Sequence, residues 1–345
     1  MTCKYNNVYV KDVATVAGVL ESNGKLSSYF DKKYYDYYFG MESIEQGEVK
    51  LFNDAMDILL KKTNKKDTDI DLLIGGDLTN QIAVSCYGAK KYKIPFLGVY
   101  TACATTMEQI IIGSTFIDSK KINNCICTTT SSNLVSEKQF RNPIEYGAPK
   151  PKTATFTSTG GASIMLSNEK SDIKVVASTV GKIVDLNFKD ANNVGAAMAP
   201  ACCDTLYNHL TNLNEKVDDY DLILSGDLGI FGKEVMKDYL KEQYNITLGK
   251  NYDDCGTMLY DFSKQKEITA GGSGPVCSAL VNYSYIFKQM KEKKLKKVLL
   301  ITTGALFNPT FLFQKQSILG IAHAVSFEVV KWCTFIHFCF VDFYV

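Results

Sequence analysis

The sequence predicts an α/β fold that contains two similar halves. Short apolar runs alternate with helix-length amphipathic segments along the 345-residue chain, which is typical of a covered, largely parallel sheet. Residues 69–78 (DIDLLIGGDL) and 219–228 (DYDLILSGDL) match at both aspartates, the first leucine and the final GDL. Cys103 precedes Thr128 by the same spacing that separates Cys277 from Thr302. Because both matches occur in the same order, they indicate an internal duplication.

The elements of the first half follow from periodicity and turn residues. Residues 8–20 predict a first strand and turn, and a tyrosine-rich loop follows at 29–39. Ser43 with Gln46 three positions later has capping-box spacing, so a helix is expected from there to the lysine-rich residues 61–66. Apolar runs at 69–78, 94–99 and 122–130 predict strands, and a helix is expected from Cys103 to about residue 121.

The second half is expected to repeat this order around a pseudo-twofold axis. We predict an N-terminal half at residues 1–170 and a C-terminal half at 171–328, joined at the polar turn 167–172. Residues 329–345 form an apolar, aromatic tail that is too short and too interrupted for a confident membrane span. This tail fits an interfacial anchor, a strand added to another chain, or an atypical terminus without a function.

Composition excludes several classes of protein. The net charge is +1, which gives no reason to expect nucleic-acid binding. Eleven cysteines are thinly spread without a CxxC pair, and the three histidines lack zinc-ligand spacing. We therefore expect a reducing compartment and no metal site. The N-terminal residues carry no apolar segment of the kind that a signal peptide needs.

Cys103 is the candidate functional residue around which the chain is organised. It follows an apolar run and a small-residue turn and lies at or near a predicted helix start. There, free backbone N–H groups and the helix dipole would favour the thiolate, which is the nucleophilic form of cysteine. The alternative is a buried cysteine that packs as a small apolar residue.

Several strings resemble the stage V sporulation protein AD family within the thiolase superfamily. A cysteine at a helix start in the first of two halves, and residues 155–164 (TFTSTGGASI), resemble the superfamily as a whole. The family itself is matched by residues 75–81 (GGDLTNQ), 140–147 (FRNPIEYG), 193–201 (NVGAAMAPA) and 320–325 (GIAHAV). The likeness extends from about Gly18 to Glu328, and only the tail departs from it.

The resemblance implies a thiolase-like fold with duplicated αβαβα layers. It also implies a part in moving dipicolinic acid (pyridine-2,6-dicarboxylate) into the developing spore and out again at germination, without a cofactor. Family members are similar to ligand-binding subunits that work with the membrane subunits of the stage V sporulation A complex. We therefore expect a peripheral protein on the cytoplasmic side of the forespore or inner spore membrane, with a homodimer as a further inference from the fold.

The same resemblance argues against catalysis. Condensing enzymes of this superfamily place a histidine or asparagine in two motifs of the second half, which here resemble residues 225–229 (SGDLG) and 271–275 (GGSGP). Neither motif contains histidine or asparagine, so a base and an oxyanion donor are missing. An acyl-CoA-dependent condensing enzyme or acyltransferase that uses Cys103 is the alternative, and a purely structural docking subunit is a third possibility.

The expected ligand pocket contains Cys103, His323, Arg141 and Lys152. His323 lies within residues 317–325, which are the predicted final strand and the loop before it, and it either approaches Cys103 or is a core histidine bonded to backbone. Arg141, the only arginine, together with Lys150 and Lys152 provides candidate cations for a flat dianion, and a solvated loop is the alternative. We interpret Cys103 as the floor of an inherited active-site pocket that has been retained for binding.

Overall fold

A computed structural model describes residues 1–141 and 150–330 of the chain. The β-strands of these residues, β1 to β14, are Thr2–Lys4, Tyr9–Ala17, Lys32–Lys33, Leu72–Gly76, Phe96–Gly98, Asn124–Ser131, Phe156–Thr157, Gly160–Ser167, Ile173–Val180, Leu222–Ser225, Tyr252–Asp254, Gly272–Ser273, Lys297–Leu306 and Leu319–Val329. The α-helices, α1 to α11, are Val19–Ser22, Ile44–Thr63, Ala83–Ala89, Thr105–Asp118, Asn133–Gln139, Val194–Leu213, Gly229–Tyr244, Cys255–Leu259, Pro275–Leu280, Phe287–Lys291 and Pro309–Phe313.

The main sheet has a palindromic strand order that reflects the duplication. The order is β5-β4-β6-β8-β2 in one half and β9-β14-β13-β10-β11 in the other. Along this order the halves meet between β2 and β9, which form two antiparallel residue pairs, and β1 of the first half adds three antiparallel pairs with β9. The α/β class and the duplicated architecture are therefore confirmed, whereas the domain boundary at residue 170 stays an interpretation.

The expectation of a largely parallel sheet is wrong. β4 pairs in parallel with β5 and β6, but β8 runs antiparallel to both β6 and β2. The second half repeats this arrangement, with antiparallel pairs of β14 to β13 and β9. β2 lies between β8 and β9 and runs antiparallel to both of them. The alternation of helices and strands in the sequence does not show at which strands the direction reverses.

Alternate strand residues divide the apolar core into three layers. Cys125 and Cys127 of β6 point into a central core with Met107 and Ile110 of α4, and α9 contributes to the same core. Ile126, between the two cysteines, points to the opposite face, where it joins residues of α2. On the second half the outer face packs against α6. Buried helices between two sheet faces and further helices outside give the predicted αβαβα order.

Local signals set several element boundaries as expected. Ser43 is the N-cap of α2, and its hydroxyl accepts a hydrogen bond from the backbone N–H of Gln46. α4 begins at Thr105, two residues after Cys103. No helix in the described ranges has both the length and the apolar character needed to cross a bilayer.

Residues 331–345 of the predicted tail, and 142–149 of the predicted cation-bearing loop, lie outside the described residues.

Candidate functional site

Cys103 lies in a tight loop between β5 and α4. Ala102, just before it, has a φ of +52°, a left-handed conformation that a non-glycine residue adopts only when its surroundings fix it. The hydroxyl of Thr105 accepts from the backbone N–H of Thr101 at 3.0 Å and donates to the carbonyl of Ala102 at 2.7 Å. These bonds hold Cys103 at the buried end of α4, so its position near a helix start is as the sequence predicted.

The second half of the chain presses directly on this loop. Gly304 of β13 has no side chain, and a Cβ atom there would lie 2.4 Å from the carbonyl oxygen of Thr101. The hydroxyl of Thr302, two residues earlier, donates to the carbonyl of Ala104 at 3.1 Å. Cys103 therefore lies where the two halves meet.

The thiol of Cys103 is not poised as a thiolate. Burial raises its pKa well above the ordinary value, and the negative charge of Asp227 raises it further. A hydrogen-bond contact with Ser273, at 3.7 Å between Sγ and Oγ, and the backbone of Gly274 act in the opposite direction but are weaker. The expected stabilisation of the thiolate by the helix start is thus wrong, because desolvation and a neighbouring carboxylate dominate.

Asp227 is the buried anion of the site, with only 1% of its surface exposed. Its Oδ2 accepts from the hydroxyl of Ser273 at 2.9 Å and from the backbone N–H of Gly274 at 3.0 Å. Its Oδ1 accepts from the hydroxyl of Thr303 at 2.6 Å. Burial raises the pKa of this carboxyl group in spite of these bonds. The network fixes Asp227 rigidly beside the cysteine.

The two second-half motifs named from the sequence do converge on Cys103. Asp227 belongs to residues 225–229 and Ser273 to residues 271–275, so a carboxylate and a hydroxyl stand where a condensing enzyme needs neutral hydrogen-bond donors. A carboxylate repels a developing oxyanion instead of stabilising it. The arrangement is suited to holding polar groups in place and is poorly suited to Claisen chemistry.

A small cavity of about 40 Å³ opens from Cys103. Arg141 lines it, and its guanidinium donates to the hydroxyl of Thr157 at 2.8 Å and that of Thr155 at 3.5 Å. Burial lowers the pKa of Arg141, but arginine stays charged in proteins. The structure therefore brings two of the four predicted site residues, Cys103 and Arg141, to one cavity.

A larger cavity of about 440 Å³ continues outward and shares Phe140, Arg141, Ala191 and Phe307 with the small one. The rings of Phe140 and Phe307 lie 6.3 Å apart. Lys189 and Lys315 add positive charge, and no carboxylate is among the described residues that line either cavity. The two cavities together form what we call the basic vestibule, an aromatic-walled recess with three cationic side chains.

His323 and Lys152 are placed differently from what was expected. His323 pairs with Thr302 across β14 and β13, so it shares the sheet face toward the start of α4, but it is not among the residues that line the Cys103 cavity. Its Nδ1 accepts from the backbone N–H of Gly181 at 3.2 Å, and burial lowers its pKa to about 4. It is therefore a neutral core histidine at pH 7. Lys152 is exposed and lines neither cavity, while Lys150 pairs with Glu137.

Sequence reasoning missed the outer cations of the vestibule. Lys189 lies in the irregular stretch 181–193 and Lys315 just after α11, where periodicity gives no signal. Within the described ranges no group of histidine, cysteine, aspartate and glutamate side chains is arranged to hold a metal ion.

Fold and site together define the class of protein: a thiolase-like fold in which a cysteine, a buried aspartate and a serine meet between two similar halves. Among solved structures, cerulenin-bound OleA of Xanthomonas campestris is similar with a TM-score of 0.60 and 13% identity, over 94% of this chain and 97% of that one. 3-Oxoacyl-[acyl-carrier-protein] synthase III of Aquifex aeolicus VF5 is similar with a TM-score of 0.53 and 13% identity, over 93% and 99% of the two chains. At this identity, the likeness shows the fold alone.

The chain belongs to the stage V sporulation protein AD family, whose sequence profile matches residues 2–328. The stage V sporulation protein AD of Bacillus subtilis (strain 168) is 44% identical over 321 residues, which is 93% of this chain and 94% of the relative. The resemblance stated from the sequence motifs is thus confirmed, and with it the assignment to sporulation.

Proposed function

We propose that the protein binds dipicolinate in the basic vestibule and assists its movement across the inner spore membrane. Membership of a sporulation family is the starting point. The observation that carries the proposal is the meeting of Arg141, Lys189 and Lys315 with two phenylalanine rings around one open recess. A flat aromatic dianion needs cations for its carboxylates and apolar walls for its ring, and this recess offers both.

Charge complementarity supports an anionic ligand over a neutral one. The described lining carries three cationic side chains and no carboxylate, and the two carboxylates that act on Arg141, those of Glu137 and Asp227, lie outside the lining. Arg141 is anchored by two threonine hydroxyls, which orients its planar fork before a ligand arrives. In the proposal, Arg141 binds the ligand at the inner end of the recess, and Lys189 and Lys315 add positive charge at the outer end.

Cys103 forms part of the floor of this recess in the proposal and performs no chemistry. Its raised pKa, the adjacent Asp227 and the absence of histidine and asparagine from both second-half motifs argue against nucleophilic catalysis. The condensing-enzyme alternative gains no support from the site.

Titration calorimetry with dipicolinate tests the proposal. Saturable heat is expected with the intact protein, and Arg141→Gln should weaken binding by about tenfold or more, because a charge-assisted hydrogen bond contributes about 1.5–3 kcal/mol. Lys120→Gln, beyond the opposite end of α4, is the matched control and should leave affinity unchanged. Absence of heat at millimolar dipicolinate would overturn the proposal. Mass spectrometry after incubation with acyl-CoA provides the opposing test, since an acyl adduct on Cys103 would favour an enzyme.

We also infer that the protein acts peripherally, on the cytoplasmic side of the inner spore membrane, with the membrane subunits of the stage V sporulation A complex. Spore-membrane vesicles that contain or lack those subunits provide the test. Co-sedimentation is expected only with the first kind of vesicle, and equal sedimentation with both would contradict docking on the subunits.

A further inference from the structure

Thr157 lies on a two-stranded sheet that bridges the halves of the chain. β7, from the first half, pairs in parallel with β12, from the second, and Thr157 lies opposite Ser273. The backbone N–H of Ser158 donates to the carbonyl of Ser273 at 2.8 Å. The N–H of Phe156 donates to the carbonyl of Gly271, also at 2.8 Å. The position of Thr157 therefore depends on a segment that is more than a hundred residues away in the sequence.

Buried hydrogen bonds hold this small sheet from both halves. In the second half, Asp227 accepts from the hydroxyl of Ser273 at 2.9 Å and so fixes β12. In the first half, the hydroxyl of Ser131 donates to the carbonyl of Ser158 at 2.7 Å and so fixes β7. Thr157 itself is buried, with 2% of its surface exposed. A backbone that is bonded on both sides and closed to solvent gives the Thr157 hydroxyl one defined place.

The Thr157 hydroxyl is bonded to the inner cation of the basic vestibule. Its oxygen accepts from Nη1 of Arg141 at 2.8 Å, whereas the hydroxyl of Thr155 accepts from Nη2 at 3.5 Å. The shorter distance makes Thr157 the stronger of the two partners. Thr157 also lines the small cavity, so two roles are open to its hydroxyl: direct contact with a ligand, or orientation of Arg141. The bond to Nη1 favours the second role, because it already occupies the hydroxyl oxygen.

Arg141 needs such a partner because no regular element holds it. α5 ends at Gln139, and Arg141 follows two residues later. A long side chain on irregular backbone samples many rotamers, and fixing it when a ligand binds costs conformational entropy. A guanidinium that is already held in one plane avoids most of this cost and presents its two parallel N–H donors to a carboxylate.

We propose that Thr157 is a positioning residue for anion binding: its hydroxyl orients the guanidinium of Arg141, and the pairing of β7 with β12 makes that orientation depend on the second half. This role rests on the function proposed above, in which Arg141 binds the ligand at the inner end of the vestibule. It also gives the buried pair of Asp227 and Ser273 a task that needs no catalysis, which is to hold β12 in place.

A measurement without dipicolinate tests the orientation of Arg141 by itself. Arg141 is the only arginine of the chain, so phenylglyoxal, a reagent for guanidinium groups, reports on this single site, which the larger cavity opens to it. Thr157→Val keeps the size of the side chain and removes its hydroxyl. Arg141 should then react about threefold faster or more, because a hydrogen bond to the charged group no longer holds it. Thr157→Ser keeps the hydroxyl and should react at the wild-type rate, as followed by peptide mass spectrometry.

Titration calorimetry with dipicolinate tests whether Thr157 acts through Arg141. Thr157→Val should weaken binding by about fivefold or more in the wild-type background, and by less than about twofold in the Arg141→Gln background, where no guanidinium is left to orient. Thr157→Ser should retain wild-type affinity. Thr205→Val is the matched control, since the buried hydroxyl of Thr205 donates to the carbonyl of Ala322 at 3.0 Å and Thr205 lines neither cavity. It should change neither affinity nor the reactivity of Arg141.

Two results would overturn the positioning role. One is an unchanged rate of phenylglyoxal modification in Thr157→Val, which would mean that the hydroxyl does not hold Arg141. The other is an equal loss of affinity in both backgrounds, which would mean that the hydroxyl contacts the ligand directly. A wild-type protein that gives no heat with dipicolinate contradicts the proposed function instead, and the phenylglyoxal rates still decide the role of Thr157. Should Thr157→Val fail to fold, Thr157→Ala also removes the hydroxyl and replaces it in both measurements.

Discussion

At the residue scale, the location of Cys103 was predicted correctly from the sequence, but the protonation state of its thiol was not. The sequence placed the cysteine at a helix start where two halves meet, and the structure has it there. The expectation of a thiolate failed because it weighed the helix dipole and omitted Asp227, which lies far away in sequence. A dipole effect is worth a fraction of a kcal/mol to about 2 kcal/mol, which burial beside a carboxylate readily exceeds.

Asp227→Asn should make Cys103 more reactive. Removing the charge lowers the pKa of the thiol, and one pKa unit gives about a tenfold larger thiolate fraction at neutral pH. The measurement is the pH dependence of iodoacetamide alkylation, followed at Cys103 by peptide mass spectrometry with exposed Cys86 as the internal reference. Asp77 occupies the same position of the repeat in the first half, so Asp77→Asn is the control. It should leave the pH dependence of Cys103 alkylation unchanged. Alkylation of wild-type Cys103 faster than Cys86 at neutral pH would contradict the assignment.

Glu48 predicts a pH dependence of stability. Burial, and secondarily the charge of Asp77, raises its pKa to about 8, above the value of about 4.3 in an unfolded chain. The folded state therefore holds a proton that the unfolded state releases, so this contribution is complete below about pH 4 and is lost as pH rises to about 8. Glu48→Gln should remove a slope of up to about 1.4 kcal/mol per pH unit between those limits in urea unfolding. Parallel stability curves for the two proteins would contradict the prediction.

At the element scale, the repeated DxDL…GDL segment was the most informative part of the sequence. Its strands are β4 and β10, and Asp71 and Asp221 each accept two backbone N–H groups at the start of the neighbouring parallel strand, β6 and β13 respectively. The final aspartates then diverge: Asp77 bonds to its own loop, at the N–H groups of Thr79 and Ser85, whereas Asp227 turns to the Cys103 site. Identical motifs predicted the equivalent strands, but the partner of each aspartate depends on tertiary contacts that the motif does not contain.

Gly304→Ala tests the close approach of β13 to the Cys103 loop. The added methyl group would meet the carbonyl oxygen of Thr101 at 2.4 Å and the backbone nitrogen of Ala104 at 3.3 Å, and backbone cannot move aside cheaply. We expect a loss of about 1–3 kcal/mol in the free energy of unfolding and weaker ligand binding in the vestibule. Gly249→Ala, where a Cβ would meet only the end of the Asn251 side chain, is the control. An unchanged free energy of unfolding for Gly304→Ala would contradict the prediction, since it would mean that the Cys103 loop moves to make room for the methyl group at no cost.

At the scale of the whole molecule, duplication and family were predictable and the outer binding surface was not. Repeated motifs are local strings, so the sequence displays them directly. The basic vestibule instead combines Arg141 with Lys189 and Lys315, which lie more than forty positions apart and outside regular elements. The same holds for Thr157, whose strand pairs with a strand from the other half. Such sites can be recognised only in the folded chain, because no periodic pattern in the sequence connects the residues that form them.

The edge of the sheet favours the homodimer that the fold implies. β5 is an edge strand, and all three of its residues, including Phe96 and Leu97, are exposed. Tyr87 and Tyr100 add exposed rings nearby in the chain. An apolar edge with free backbone groups is expected to pair with another strand, and an antiparallel β5–β5 contact between two copies would cover it.

Leu97→Lys should then make the protein monomeric, because lysine blocks edge pairing. Light scattering measures the change, from twice the chain mass in the wild type to the mass of one chain in the variant. Ile183→Lys, an exposed apolar residue in the other half, is the control, and a wild-type protein that elutes as a monomer would contradict the prediction.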